Sequence, residues 1–490
     1  MVKNVLAFDF GASGGRAILG SFDGTSIRLQ EVHRFSNDPV MVRGTMYWDA
    51  LRLFHEIKQG IRLAKEYGAV ESIGVDTWGV DFGLLDADGF LLENPVHYRD
   101  ARTAGMLAQA LEKIDKNTLY ERTGNQFMEI NTAFQLLALK ERRPDILARA
   151  RALLMMPDLF NYWLSGEQRT EYSIASTTQL MNARTRSWCD ETIAALGLPR
   201  QIFTEITPTG TKIGRLSAKL AEELGVPRAD IIAVAGHDTQ CAMAAVPTKE
   251  EHFIFLSCGT WSLLGTELKE PLINETSLAC NLTNEGGYDG KISFLKNIVG
   301  LWLIQESRRQ WIREGTEHSF GMLEQMAREA APLRSFIDPD APEFMPAGNI
   351  PERIREFCRK THQPVPETPA EIVRCIDESL AFKYRAALEQ LETCTKSAEG
   401  GVIHIVGGGV QSSLLCQFTA NACGRTVKAG PVEATVMGNI ALQLLADKTI
   451  GSLKEARAII AASSAVMKYT PQETAQWDAA YHRWKEITAC

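Results

Sequence analysis

Val5-Leu6-Ala7-Phe8-Asp9-Phe10-Gly11-Ala12-Ser13-Gly14-Gly15-Arg16-Ala17-Ile18-Leu19 runs from apolar residues through a carboxylate into a glycine-rich turn, and then becomes apolar again. Short apolar runs on either side of such a turn read as two strands. Asp23-Gly24 follows as a tight hairpin turn and Ile27 to Phe35 as a third strand. A glycine-rich turn between strands lines up backbone N–H groups that suit phosphate oxygens, and Arg16 can add charge. A plain hairpin rich in glycine fits the same residues. Two other motifs are excluded. No G-x-G-x-x-G and no helix follow β-type residues here, so this is not a dinucleotide fold. Gly11, Ser13 and Gly15 match G-x-S-x-G, but a serine-hydrolase elbow runs from strand into helix, and here a strand follows.

The same figure returns in the second half. His252 to Ser257 reads as a strand, Cys258-Gly259-Thr260 as a turn and Trp261 to Gly265 as a strand, just after the polar Pro247-Thr248-Lys249-Glu250-Glu251. A chain of 490 residues is too long for one ordinary core. The expected division is therefore residues 1–247 and 248–490, each half offering its turn to one phosphate chain. Asn297 to Arg313 and Pro369 to Cys394 read as helices, with Trp302 and Trp311 as core residues. Val402 to Val406 is a buried strand that ends in Gly407-Gly408-Gly409 before the helical Ser412 to Cys423. Bare backbone there admits a flat ring or a phosphate, or simply packs helix on strand.

In the first half, Ile231 to Ala235 reads as a buried strand that Gly236 breaks just before His237-Asp238-Thr239. Asp238 is the candidate catalytic base, although an Asp at this position is also an ordinary helix N-cap. Val70 to Val75 leads into Asp76-Thr77-Trp78-Gly79-Val80-Asp81-Phe82-Gly83. Carboxylates, an aromatic ring and glycine make a wall for a polyol, or a turn into the Asp86 to Gly89 hairpin. Asp49 to Tyr67 is expected to be helical, and Arg99 to about Leu224 a mostly helical insertion.

Composition narrows the function. Apolar residues make up 45% and charged residues 23%, as in ordinary globular chains, and a net charge of −8 disfavours nucleic acid. The short apolar run after Lys3 stops at Asp9, unlike a signal peptide, and nothing later is long enough to span a bilayer. A cytoplasmic enzyme with no membrane partner is expected. The ten cysteines form no C-x-x-C pair and read as reduced thiols.

Asp9-Phe10-Gly11 with Gly14-Gly15-Arg16, then Ser257-Cys258-Gly259-Thr260-Trp261-Ser262, then Gly407-Gly408-Gly409-Val410-Gln411 resemble the two phosphate segments and the adenosine segment of the FGGY carbohydrate kinases. Asp76 to Asp81, Gly236 to Thr239, Asn284-Glu285-Gly286-Gly287, Leu295-Lys296-Asn297 and Gly430-Pro431-Val432-Glu433-Ala434 are similar to the members that act on L-rhamnulose. The resemblance implies an α/β fold of two ribonuclease-H-like, actin-type ATPase domains with an interdomain cleft. It implies transfer of the γ-phosphoryl group of ATP, with Mg2+, to the 1-hydroxyl of L-rhamnulose in rhamnose catabolism. By position, Ala12, Ser13, Gly14, Gly15, Arg16, Thr260, Gln305 and Gly408 would contact ATP. Gly79, His237, Asp238, Thr239 and Asn297 would contact the sugar, with Asp238 as proton acceptor. In the mechanism this implies, Asp9 is the carboxylate expected to hold Mg2+, directly or through water. Many family members carry two hydroxyl residues where Ala12 and Ser13 stand. A kinase for another deoxyketose such as L-fuculose, or an actin-like ATPase without a sugar, shares much of the pattern.

Overall fold

β1 (Lys3–Gly11) and β2 (Gly14–Phe22) pair antiparallel from Lys3 opposite Phe22 to Gly11 opposite Gly14, so Ala12 and Ser13 alone make the turn. β3 (Ile27–Ser36) continues the meander. Its turn is held by the Asp23 carboxylate, which accepts the N–H groups of Thr25 and Ser26, each at 2.8 Å, while Gly24 takes a φ of +104°. On its other edge β1 is joined in parallel by β4 (Ser72–Thr77). Beyond β4 lie β5 (Thr211–Arg215) and β6 (Asp230–Ala233), giving the order β5-β6-β4-β1-β2-β3. β2 turns Ala17 toward Gly60 of the helix Ala50–Ala64 and Gly20 toward Ile440 of the helix Ala434–Ala446. Residues three apart on a strand point to opposite faces, so both faces are covered. That is why these strands read as continuous apolar runs.

The computed structural model describes residues 2–396 and 401–488. They divide into two compact units, neither continuous in sequence. The first holds the chain up to Lys249 with Glu267–Phe294 and Ala434–Ser464; the second holds Glu250–Thr266, Leu295–Glu433 and the residues from Ala465 on. The first unit therefore draws on chain beyond residue 247. The reason is the helix Ala434–Ala446, whose apolar side and buried Asn439 and Gln443 complete one face of the sheet. Gln443 donates to the Leu6 carbonyl at 3.1 Å and accepts from Ser72 Oγ at 2.6 Å. Within residues 99–224 the helices, among them Thr132–Arg142, are joined by several short strands that the helical expectation left out. Ala152–Met155 pairs with Phe82–Leu85, and β5 is the polar edge strand. A half-exposed Thr-Lys-Ile-Gly-Arg offers no apolar alternation to read.

In the second unit β7 (Ile254–Cys258) and β8 (Trp261–Leu268) form the repeated hairpin. With β9 (Ile292–Val299), β10 (Ile403–Val406), β11 (Val427–Ala429) and β12 (Met467–Tyr469) the order is β9-β8-β7-β10-β11-β12, and the short strand Thr283–Gly286 lies beyond β9 at the edge of the sheet. β10 joins β7 in parallel, as β4 joins β1. Each unit is thus an antiparallel hairpin continued by parallel strands, the ribonuclease-H-like arrangement. The helix expected from Asn297 begins instead at Trp302; Asn297 lies on β9. Gly300 separates the two where a Cβ would come within 2.5 Å of Ser262 Oγ and 2.8 Å of the Gly259 carbonyl. The helix Pro369–Thr395 starts with a Thr368/Glu371 capping box and buries Phe382 against Phe336, Trp477 and Tyr481.

Candidate functional site

Three carboxylates gather at the ends of adjacent parallel strands of the first unit. Asp9 on β1 is in register with Asp76 on β4. Thr77 then bridges to His237, its N–H donating to the Gly236 carbonyl at 2.9 Å, which brings Asp238 beside them. Arg16, opposite Asp9 across the hairpin, donates from Nη2 to Asp9 Oδ2 at 2.8 Å. Asp76 is wholly buried, accepts from Asn439 Nδ2 at 2.6 Å on Oδ2, and has no hydrogen-bond partner at Oδ1. Burial first, and then the charge of Asp9, push its carboxyl far above the ordinary range against the pull of Asn439.

Asp238 is the first residue of the helix Asp238–Ala244, and His237 occupies the N-cap position without a side-chain capping bond. The N-cap alternative for Asp238 therefore falls away. Its Oδ1 accepts the Thr239 N–H at 2.6 Å, and its side chain stays 31% exposed. Burial raises its pKa to about 6; His237 opposes the rise and Asp9 adds to it. The His237 ring lies between two acids, Nδ1 at 3.1 Å from Glu285 Oε2 and Nε2 at 3.4 Å from Asp238 Oδ1. Burial, the largest single influence, would lower the imidazole pKa, but the carboxylates of Glu285, Asp238 and Glu171, Glu285 foremost, together hold the group above the usual histidine value.

The turn carrying these residues is pinned from below. Buried Glu171 accepts the Gly236 N–H at 2.9 Å, and Ser173 Oγ accepts the His237 N–H at 3.2 Å. A Cβ at Gly236 would sit 2.9 Å from Pro157 Cγ, so the chain bends there only with glycine. Sequence reasoning missed Glu171 and Asn439. A lone Glu before a short helix and an Asn inside an apolar one carry no local signal of what they hold.

The expected polyol wall divides. Asp81 is fully buried and its carboxylate is taken up by the protein: Oδ2 accepts from Trp48 Nε1 at 2.6 Å, Trp78 Nε1 at 2.9 Å and the Tyr98 N–H at 3.2 Å, and Oδ1 accepts from Gln135 at 2.9 Å. It supports the loop and faces no ligand. Gly79 remains half-buried, beside Thr177 and before Val80, which has a φ of +66°. That left-handed conformation is costly for a β-branched residue. Thr177 Oγ1 accepts the Val80 N–H at 3.1 Å and Thr132 Oγ1 donates to its carbonyl at 2.7 Å, fixing the backbone at Gly79.

In the first turn Gly11 to Arg16, Asn37 Nδ2 donates to the Gly11 carbonyl at 2.9 Å, and Ser13 is exposed. In the second unit Thr260 Oγ1 donates to Gln305 Oε1 at 3.2 Å, and the N–H of Trp302 to the Thr260 carbonyl at 3.2 Å. The triple glycine packs on the same turn. Gly407 has a φ of +85°, and a Cβ on Gly409 would lie 2.2 Å from Cys258 Sγ, whereas Gly408 faces open space. Thr260 and Gln305 are thus brought together, while the turn that carries Gly408 packs on Cys258; Asn297 sits half-buried on β9.

Among the described residues no three His, Cys, Asp or Glu side chains are grouped to hold a metal unaided. Mg2+ needs no such cage, since one or two carboxylates with phosphate oxygens and waters suffice. The partnerless Oδ1 of Asp76 beside Asp9 fits a cation there.

Models of the FGGY family of carbohydrate kinases match this chain, the N-terminal domain over residues 4–245 and the C-terminal domain over 254–446. A rhamnulokinase of Bacteroides thetaiotaomicron is 43% identical over 486 residues, 99% of each chain. One from Halalkalibacterium halodurans is 40% identical over 465 residues, 95% of this chain and 98% of that one. Among solved structures, a ligand-bound xylulose kinase from Lactobacillus acidophilus superposes with a TM-score of 0.80 at 16% identity, over 99% of this chain and 97% of that one. A Plasmodium falciparum glycerol kinase with ADP gives 0.78 at 16% identity, over 100% and 99%.

Proposed function

The chain belongs to the FGGY family of carbohydrate kinases, and from that premise we propose that it transfers the γ-phosphoryl group of ATP to the 1-hydroxyl of L-rhamnulose, giving L-rhamnulose 1-phosphate and ADP. The observation that carries this is the relationship to rhamnulokinases at 43% and 40% identity over 99% and 95% of this chain, in a fold that places a poised carboxylate at Asp238.

Asp238 accepts the proton of the sugar 1-hydroxyl as that oxygen attacks the γ-phosphorus and ADP departs. A base with a pKa near 6 is ionised at neutral pH yet basic enough to share the proton in the transition state. Gly79, His237, Thr239 and Asn297 fix the sugar. The N–H groups of Ala12, Ser13, Gly14 and Gly15, with Arg16, take phosphate oxygens; in the second unit Thr260 and Gln305 take phosphate and Gly408 the adenosine. Asp9 is the residue to hold Mg2+, which when bound neutralises phosphate charge. Phosphoryl transfer asks a protein mainly for position and charge, so no covalent nucleophile is required. Ser13 is thus no hydrolase nucleophile, and β2 follows it where an elbow would need a helix. No helix among the described residues is long and apolar enough to cross a membrane. Reliance on ATP supports a cytoplasmic location.

The test is ADP release with Mg2+ and ATP across L-rhamnulose, L-fuculose, L-ribulose, D-xylulose, glycerol and no acceptor. The highest kcat/KM is expected with L-rhamnulose. A preference for L-fuculose would reassign the substrate, and equal release without any acceptor would overturn the kinase assignment.

A further inference from the structure

The three carboxylates Asp9, Asp76 and Asp238 converge with two positively chargeable side chains against them, Arg16 on Asp9 and His237 beside Asp238. An arginine is always charged, whereas a buried histidine is charged only if something holds its proton. Glu285 is placed to do so. It lies on the buried strand Thr283–Gly286, and its Oε2 faces His237 Nδ1 at 3.1 Å. A second contact fixes it: Gln240 Nε2 donates to the same oxygen at 3.1 Å, and Ser293 Oγ donates to Gln240 Oε1 at 2.7 Å, which sets the amide's orientation. A buried carboxylate is costly unless paired with a charge.

We propose that Glu285 is a positioning residue, an ion-pair partner that orients the imidazole of His237 and keeps it cationic, so that the opposite N–H is presented beside Asp238 where a sugar hydroxyl binds. The pair does two things. It supplies a charged donor to the sugar, stronger than a neutral one, and it places a positive charge next to a base crowded by other acids. The charged and titratable groups facing the His237 ring are Glu285 from its strand, Asp238 from the following helix and, further off, Glu171 below the turn; all three favour the imidazolium. Ser173 touches only the His237 backbone. The sugar contact rests on the function proposed above, whereas the ion pair does not.

The experiment is a pH titration of the imidazole nitrogens by NMR in the full-length protein without ligands, with His237 assigned by the signal lost in His237→Gln. In the unmodified protein the His237 midpoint is expected above the ordinary value of about 6.5. In Glu285→Gln it is expected to fall by a unit or more, with KM for L-rhamnulose raised about tenfold and KM for ATP little changed. A midpoint at or below the ordinary value in the unmodified protein would overturn the proposal even if the variant does not fold. So would a folded Glu285→Gln whose midpoint stays in place, or whose sugar and ATP constants rise together. Absence of turnover with L-rhamnulose in the unmodified protein would sink the substrate assignment and leave the titration to judge the pair.

Discussion

Asp238 and Asp81 are both acids raised to about pKa 6 by burial, yet they serve opposite ends. Asp81 is enclosed by two indole N–H groups and an amide, so Asp81→Ala strands buried donors and is expected to cost about 3 kcal/mol or more, read by denaturant unfolding. Asp238 keeps an exposed side and holds little of the fold. Asp238→Asn is expected to stay folded and lower kcat by roughly a hundredfold or more; turnover near normal would remove it as the base. Its pH dependence has a definite sign. The folded-state pKa lies above the free value, so the ionised form is the disfavoured one, and kcat/KM should fall as pH drops through about 6. For the same reason the unmodified protein bears a cost for ionised Asp238 at neutral pH, reduced by solvent on its exposed side. Asp238→Asn should therefore melt no lower than the parent at pH 7.5 in calorimetry. From the sequence, both acids followed strands and looked alike; burial and partners set them apart.

At the scale of elements, the placement of Asp238 depends on one close helix crossing. The helix Asp238–Ala244 lies so near the helix Ala434–Ala446 that a Cβ on Gly438 would come within 1.8 Å of the Cys241 carbonyl. Backbone cannot move aside as a flexible side chain can. Gly438→Ala should therefore cost at least the roughly 1 to 3 kcal/mol typical of overpacking, and kcat should fall with it because the base and Asn439 are displaced together. A variant with parental melting temperature and rate would show that the helices part freely. The hairpins and the Gly407 to Gly409 turn were readable because strand periodicity and glycine act within a few residues. This crossing was not, since Gly438 and Cys241 are neighbours only through the tertiary fold. The helix wrongly begun at Asn297 fails for a related reason: Asn297, Ile298 and Val299 fit helix and strand alike, and hydrogen-bonded neighbours chose the strand.

At the scale of the molecule, the chain completes its first unit late. Asn439 and Gln443, both fully buried, reach the sheet from a helix more than a hundred residues past the last strand of that sheet. A fragment ending at residue 247 would leave that face uncovered and Asp76 without its donor. It is expected to bind a hydrophobic dye and unfold without a cooperative transition, whereas the full chain melts sharply; a cooperative fragment would mean that the sheet stands without its last helix. The sequence by itself determined the repeated strand, glycine turn and strand, the globular α/β class and the residues that mark the family, because all of these follow from short-range periodicity and backbone freedom. Only the tertiary structure decided which carboxylates meet, which of them the protein consumes, and which distant side chains hold the rest. Those choices depend on desolvation and charge at close range, and such energies exist only once the chain has brought the groups together.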